Sequence, residues 1–251
     1  MTPAPPTPVA LEIAVTSAAG ARVARDADAD RVELCVGLEL GGLTPSQALV
    51  ETTHETGIPA HALVRCRPGD FVYDADELAL MEREVRAVLR SGAAGVVVGA
   101  LRPDRSLDED ALRRFVDAAR SVSARAEVTL HRAVDHAVDP VATAARLADL
   151  GVTRVLTSGG ASSASAGAST IARMVDAAGP VQVMAGAGVR PGDVAALVAT
   201  GVAAVHLSAK RPVAAGNHGG VPMGSGDDGS AHTVTDGAVV AAARAALDAA
   251  A

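Results

Sequence analysis

Aromatic side chains are almost missing from this 251-residue chain, which has no tryptophan, one tyrosine and two phenylalanines. Stacking platforms for nucleic-acid bases are therefore scarce, and a core has to be built from Ala, Val and Leu. The two cysteines, Cys35 and Cys66, are too few for a disulfide framework, and no Cys-x-x-Cys or Cys/His spacing of the structural-zinc kind occurs. Lys210 is the only lysine, so Schiff-base chemistry has one candidate, and it stands beside Arg211 in what reads as an exit loop. No apolar run approaches the roughly 20 residues of a membrane span. Residues 1–8 are Pro-rich and read as a flexible N-terminal segment, without the charged and apolar regions of a secretory signal. Arginine carries the positive charge without forming a dense run, and the net charge of −7 disfavours a polyanionic partner. These absences predict a cytoplasmic protein with reduced thiols, serving neither nucleic acid nor membrane.

What the chain does contain is a regular alternation. Short β-branched runs are followed by longer Ala/Arg/Asp-rich stretches of helical period, the βαβ pattern of a parallel sheet. Eight strands are expected, at residues 9–15, 31–36, 60–65, 95–99, 127–132, 154–157, 181–185 and 204–208. Leu78, Met81, Val85, Val88 and Leu89 recur with a period near 3.6 and predict an amphipathic third helix. Thr44-Pro45 and Asp139-Pro140 read as N-cap followed by proline at the first helical position, and Asp74/Glu77 and Ser106/Glu109 as capping boxes. Residues 216–229, rich in Gly, Ser, Asp and His, read as a flexible loop before a last helix at 236–247. An open doubly wound sheet normally shows a Gly-rich dinucleotide loop after its first strand, and Thr16-Ser17-Ala18-Ala19-Gly20 is not one. The fold class is therefore α/β, a single (β/α)8 TIM barrel over residues 9–251.

In such barrels the chemistry gathers at the C-terminal ends of the strands. Glu12 lies between Leu11 and Ile13, and a charge there has to be paired or useful. The period of two puts Glu33 with Cys35, His61 with Leu63 and Arg65, Glu127 with Thr129 and His131, and His206 with Ser208 on common faces. Glu12, Glu33, Arg65, His131 and Arg132 are the candidate catalytic set, with carboxylates or imidazole moving a proton and arginine holding an anionic substrate. A bland alternative pairs Glu12 with Arg65 and Glu33 with His131 as filling of the barrel. Gly186 and Gly188 leave the seventh strand, Ser208 ends the eighth, and Ser158 and Gly159 follow the sixth. Together they form a candidate anion cradle of backbone N–H groups. His61 sits near its strand's start and reads as structural.

The motifs Leu11-Glu12-Ile13, Asp30-Arg31-Val32-Glu33-Leu34-Cys35, Gly41-Gly42-Leu43-Thr44-Pro45-Ser46 and Gly69-Asp70-Phe71 continue as His131-Arg132-Ala133, Arg154-Val155-Leu156-Thr157-Ser158-Gly159 and Met184-Ala185-Gly186-Ala187-Gly188-Val189. In that order and spacing the chain resembles the CutC family, from about Val9 to Ala209. The resemblance implies a cytoplasmic barrel that forms a homo-oligomer, binds copper and takes part in copper homeostasis, with no secure reaction attached. Where many relatives carry adjacent cysteines after Leu-Glu-Ile, this chain has Ala14 and Val15, and a further family cysteine is Val72 here. Cu(I) favours thiolate and thioether ligands. Cys35 alone falls in a matching motif as a metal ligand, with His131 or His206 to supplement it.

Three expectations therefore stand side by side. The first is copper binding and copper homeostasis. The second is a lyase- or isomerase-type enzyme, without an organic cofactor, acting on a small anionic or phosphorylated molecule. The third is a scaffold whose barrel has lost its chemistry.

Overall fold

The computed structural model of the protein describes residues 8–214 and 231–250. The segment expected at 216–229 lies outside them, as does nearly all of residues 1–8.

Eight strands, β1 (Ala10–Val15), β2 (Arg31–Leu34), β3 (Ala60–Leu63), β4 (Gly95–Val98), β5 (Glu127–Leu130), β6 (Arg154–Thr157), β7 (Gln182–Gly186) and β8 (Ala204–Leu207), pair in parallel and close into a barrel when β8 meets β1. The linking helices are α1 (Ala18–Asp26), α2 (Gln47–His54), α3 (Ala75–Arg90), α4 (Glu109–Val122), α5 (Pro140–Arg146), α6 (Ala168–Ala177) and α7 (Val194–Val198), with α8 (Gly237–Ala250) after β8. The chain is thus a TIM barrel, as the alternation of strand and helix patterns predicts. No helix among the described residues is long and apolar enough to cross a membrane.

Local signals explain most boundaries. Asp74 and Glu77 close a capping box at α3, and Met81, Val85, Val88 and Leu89 bury its apolar face. Asp139 accepts from two backbone N–H groups at α5, ahead of Pro140. Two expected caps are displaced. Ser46, not Thr44, caps α2, because the Thr44 hydroxyl is taken by Glu84 and by the Arg65 N–H. Asp108, not Ser106, caps α4, and the Ser106 hydroxyl donates to Asp104 instead. One element was not foreseen: β9 (Lys210–Ala214) and β10 (Ala231–Thr235) form an antiparallel pair where an exit loop is expected, so Lys210 lies on a strand.

The strands place two kinds of residue on their two faces. Leu11, Ile13, Val32, Leu34, Val96, Val98, Val128 and Leu130 point out and join the helices in one large core. The inward positions form only two small apolar clusters, Cys35/Leu63/Val97 and Leu156/Met184/Ala204. The rest of the barrel interior is polar and mostly charged.

Candidate functional site

At the N-terminal end of the barrel, Arg154 is 2% exposed and saturates its guanidinium. It donates to Glu127 at 2.8 Å, Gln182 at 2.7 Å and the Thr129 hydroxyl at 3.3 Å, and it approaches His61 Nδ1 at 3.4 Å. Burial, joined by the Arg154 charge, pushes the His61 pKa down to about 4, so a neutral imidazole fills this layer. The expectation of a structural His61 agrees with this hydrogen-bonded network.

Midway along the axis lies Glu12, fully buried. Its registration opposite Arg31 on β2 and His206 on β8 decides its partners. Arg31 Nε donates to one carboxylate oxygen at 2.5 Å and His206 Nδ1 bonds the other at 2.8 Å. Burial alone would raise the carboxyl pKa, but the His206 hydrogen bond and the Arg31 charge outweigh it and hold Glu12 far below the usual carboxylate range. Burial disfavours the His206 cation, yet the bond to Glu12 and the charges of Glu33 and Glu12 lift its pKa above the ordinary value. Gly186, registered beside His206, keeps the ring's surroundings open: a Cβ there would come within 2.5 Å of Leu156 Cδ1 and 3.2 Å of His206 Cβ.

Above this dyad a cavity of about 370 Å³ opens at the C-terminal ends of the strands. Its wall includes Glu33, Arg65, His131, Arg132, His206 and Ser208. Glu33 is 7% exposed, and its Oε2 has no hydrogen-bond partner among the described residues. Burial, with Glu12 adding to it and His206 opposing it, raises its pKa to about 7. His131 is buried at the wall, with its Nε2 likewise unpartnered.

The structure rearranges several expected roles. Neither Glu12–Arg65 nor Glu33–His131 is a pair. Arg65 instead clamps two mouth loops, donating to the carbonyls of Leu40, Gly42 and Gly69 at 2.8–3.1 Å, with its guanidinium 5.2 Å from the Phe71 ring centroid. Ser158 and Gly159 do not offer a vacant anion cradle. The loop after β6 already holds an internal carboxylate, Asp135, which accepts from the N–H groups of Ser158 and Gly160 and from the hydroxyls of Thr157 and Ser158, while Gly159 N–H donates to Thr157. Asp135 also binds Arg132 Nε at 2.8 Å and so fixes the half-exposed Arg132 at the rim. Gly188 and Ser208 line the cavity, whereas Gly186 serves packing beside it.

Asp135 was not foreseen. The signal was local, an Arg and an Asp three residues apart right after a strand, but its acceptor role depends on the β6 loop. His206, expected only as an auxiliary ligand, stands at the centre.

Two donor sets bear on metal binding. Cys35 is fully buried, packs with Leu63 and Val97 and does not line the cavity. Burial and then the nearby Glu33 and Glu39 push its thiol pKa far above the ordinary value. The Met184 thioether belongs to the other apolar cluster and accepts from Arg31. Soft-metal coordination wants several thiolates or thioethers converging on one point, and these residues do not supply that. The second set, Glu12, Glu33 and His206, offers ligand atoms all within 4.8 Å of one another. It is an oxygen and nitrogen set of the kind harder or borderline divalent ions accept.

Comparison with known proteins places these residues in a family context. The model of the CutC family matches residues 9–211. A family protein CutC of Xanthomonas campestris pv. campestris is 45% identical over 211 residues, 83% of this chain and 86% of its own. One from Xylella fastidiosa is 46% identical over 215 residues, 84% of this chain and 79% of its own. The crystal structure of a CutC protein from Streptococcus agalactiae, named for copper homeostasis, superimposes with a TM-score of 0.73 at 26% identity, covering 80% of this chain and 98% of that one.

Proposed function

The chain belongs to the CutC family, and from that premise we propose that its barrel mouth is the active site of an enzyme of lyase or isomerase type, which moves a proton on a small polar molecule. One observation carries this reading: the carboxylate oxygen Glu33 Oε2, buried and without a hydrogen-bond partner among the described residues, belongs to a side chain of the cavity wall, beside an imidazole that a second carboxylate orients. An unpaired buried oxygen costs about 1–3 kcal/mol, and a barrel selected for stability alone would fill or pair it.

The chemistry follows from the two carboxylates being pushed apart. Glu12 stays ionised, holds His206 by Nδ1 and stabilises its cation, leaving Nε2 for the cavity that His206 lines. Glu33, with a pKa near 7, is poised to accept and return a proton at neutral pH. Arg65, which has no carboxylate partner among the described residues, brings positive charge to the rim beside the Asp135-paired Arg132, and Gly188 and Ser208 lie after β7 and β8, where barrels hold phosphate or carboxylate groups. The substrate is then a small anionic or phosphorylated molecule.

The test is mass-spectrometric comparison of a cell metabolite extract before and after incubation with the protein. Wild type should deplete at least one small anionic metabolite, and Glu33→Gln should not. Identical extracts for the two proteins would overturn the reading. With a substrate in hand, kcat/KM should rise with pH through about 7 as Glu33 ionises and fall again once His206 loses its proton.

Copper binding is a second reading, favoured by the copper-homeostasis name of the Streptococcus agalactiae relative. It predicts stoichiometric Cu(I) uptake by the reduced protein that Cys35→Ser abolishes. The closed apolar setting of Cys35 supports the opposite outcome, in which the variant titrates like wild type.

A further inference from the structure

We propose that His131 is a neutral hydrogen-bond donor to the carbonyl oxygen of the substrate, so that the substrate class is a small aldehyde or ketone and the step is proton abstraction next to its carbonyl. This rests on the mouth being the proton-transfer site described above, and adds to it the identity of the reacting group.

Geometry fixes the state of the ring. His131 directly follows β5 and caps the 3-10 turn Arg132–His136, its Nδ1 accepting the Ala133 N–H at 3.1 Å. An imidazolium has no lone pair with which to accept, so the ring is neutral and its only proton sits on Nε2. That N–H is the buried atom without a partner among the described residues, in a residue that lines the cavity. The cap takes the lone pair and so leaves the Nε2–H donor unpartnered among the described residues, buried in a side chain of the cavity wall.

The surroundings hold the ring there. Its centroid lies 4.8 Å from that of Phe71. A Cβ on Gly99 would fall 2.5 Å from His131 Cε1 and 2.6 Å from Nδ1, so only glycine at 99 leaves room for this placement. Burial, followed by the Arg65 charge, keeps the ring from protonating, which agrees with the hydrogen-bond pattern.

A neutral N–H donor is matched to an oxygen on which negative charge develops during the reaction, rather than to a full anion in the ground state. Such an oxygen arises when the Glu33 carboxylate takes the proton from the carbon next to a carbonyl. The C–H electron pair becomes the C=C bond, the carbonyl π pair moves onto oxygen, and His131 Nε2–H stabilises the enolate. Glu33 then returns the proton to the same carbon or, where that carbon bears a hydroxyl, to the former carbonyl carbon as the hydroxyl proton passes to the enolate oxygen and the new C=O forms, so the step consumes no oxidant or reductant.

Two measurements test this. The first is 15N NMR of histidine-labelled protein at pH 7, in which His131 should show an Nε2–H neutral ring, assigned by its loss in His131→Leu. An Nδ1–H or cationic ring overturns the proposal. The second follows exchange of carbon-bound hydrogen in D2O with hydroxyacetone, glyceraldehyde and their phosphate esters. Wild type should catalyse exchange on at least one, and both Glu33→Gln and His131→Leu should slow it by about 100-fold or more, the usual loss for one such donor. Gly99→Ala should weaken it while leaving the fold intact by circular dichroism. Exchange lost in Glu33→Gln but kept in His131→Leu overturns the role of His131 and leaves the proton-transfer reading standing. If no probe exchanges while extract depletion still depends on Glu33, the carbonyl class is overturned and that reading again survives. If neither activity appears, both fall.

Discussion

The most informative single residue is Glu33, because its environment works against the folded state. Burial and the neighbouring Glu12 raise its carboxyl from the ordinary value to about 7, so between roughly pH 4.5 and 7 the folded protein binds a proton that the unfolded chain has released. Its contribution to stability is therefore greatest at low pH and declines as pH rises through that window. Glu33→Gln keeps the shape of the neutral acid and cannot ionise. We expect it to be near neutral in Tm at pH 5 and to stabilise the protein at pH 8.5 by about 1–3 kcal/mol, in the same variant that loses proton transfer. Equal Tm differences at the two pH values would show that Glu33 is not carrying the strain. Gain of stability on removal of a functional group is the usual trade at active sites.

At the scale of elements, the loop after β6 is held by a carboxylate that belongs to the turn after β5. Asp135 gathers two backbone N–H groups, two hydroxyls and the Arg132 guanidinium around a side chain that is only 4% exposed. Removing this acceptor leaves the buried Ser158 N–H and Thr157 hydroxyl without it and frees the more exposed Gly160 N–H and Arg132. Asp135→Ala should cost about 3–5 kcal/mol in urea unfolding, and Asp135→Asn less, because one oxygen remains as an acceptor. Hydrogen exchange should show the 157–161 backbone opening first, and if those amides stay as protected as in wild type, Asp135 does not hold the loop. Such contacts explain where the sequence was readable and where it was not. The eight strands were legible because a buried parallel strand reads as a short β-branched run with a cap or turn at each end, as at Gly95–Val98. Cap positions and ion-pair partners were not. Thr44 and Ser106 look like caps until Glu84 and Asp104 claim their hydroxyls, and β9 and β10 are set by their pairing with each other, which neither segment displays alone.

The same distinction holds for the whole molecule. A charge inside an apolar run betrays Glu12 and Glu33 in sequence, and the barrel rule sends the strand ends to one mouth. Yet the partner of Glu12 is settled by register, which sets Arg31 and His206 beside it rather than Arg65. Register is a property of the closed sheet and cannot be read from one strand. The resulting interior is a column of charged and imidazole groups along the barrel axis, and its titration should dominate the pH response of the fold. Burial depresses His61 to about 4 and His131 to about 3, so between about pH 6.5 and those values the unfolded chain binds more protons than the folded one. Stability from these two groups is complete above about pH 6.5 and is lost as pH falls. Glu33 works in the opposite sense from 7 down to 4.5, so two groups lose where one gains, and a net decline on the order of 1 kcal/mol per pH unit is expected below 6.5. On the alkaline side, the raised His206 loses its proton above 6.5 and removes the charge that faces Glu12. Tm should accordingly peak between about pH 6 and 7 and fall towards pH 5, and the acid limb should flatten in His61→Gln. A Tm that rises steadily from pH 7 to 5 would mean that these imidazoles are charged in the folded barrel. The neutral His131 on which the carbonyl chemistry depends would go with them.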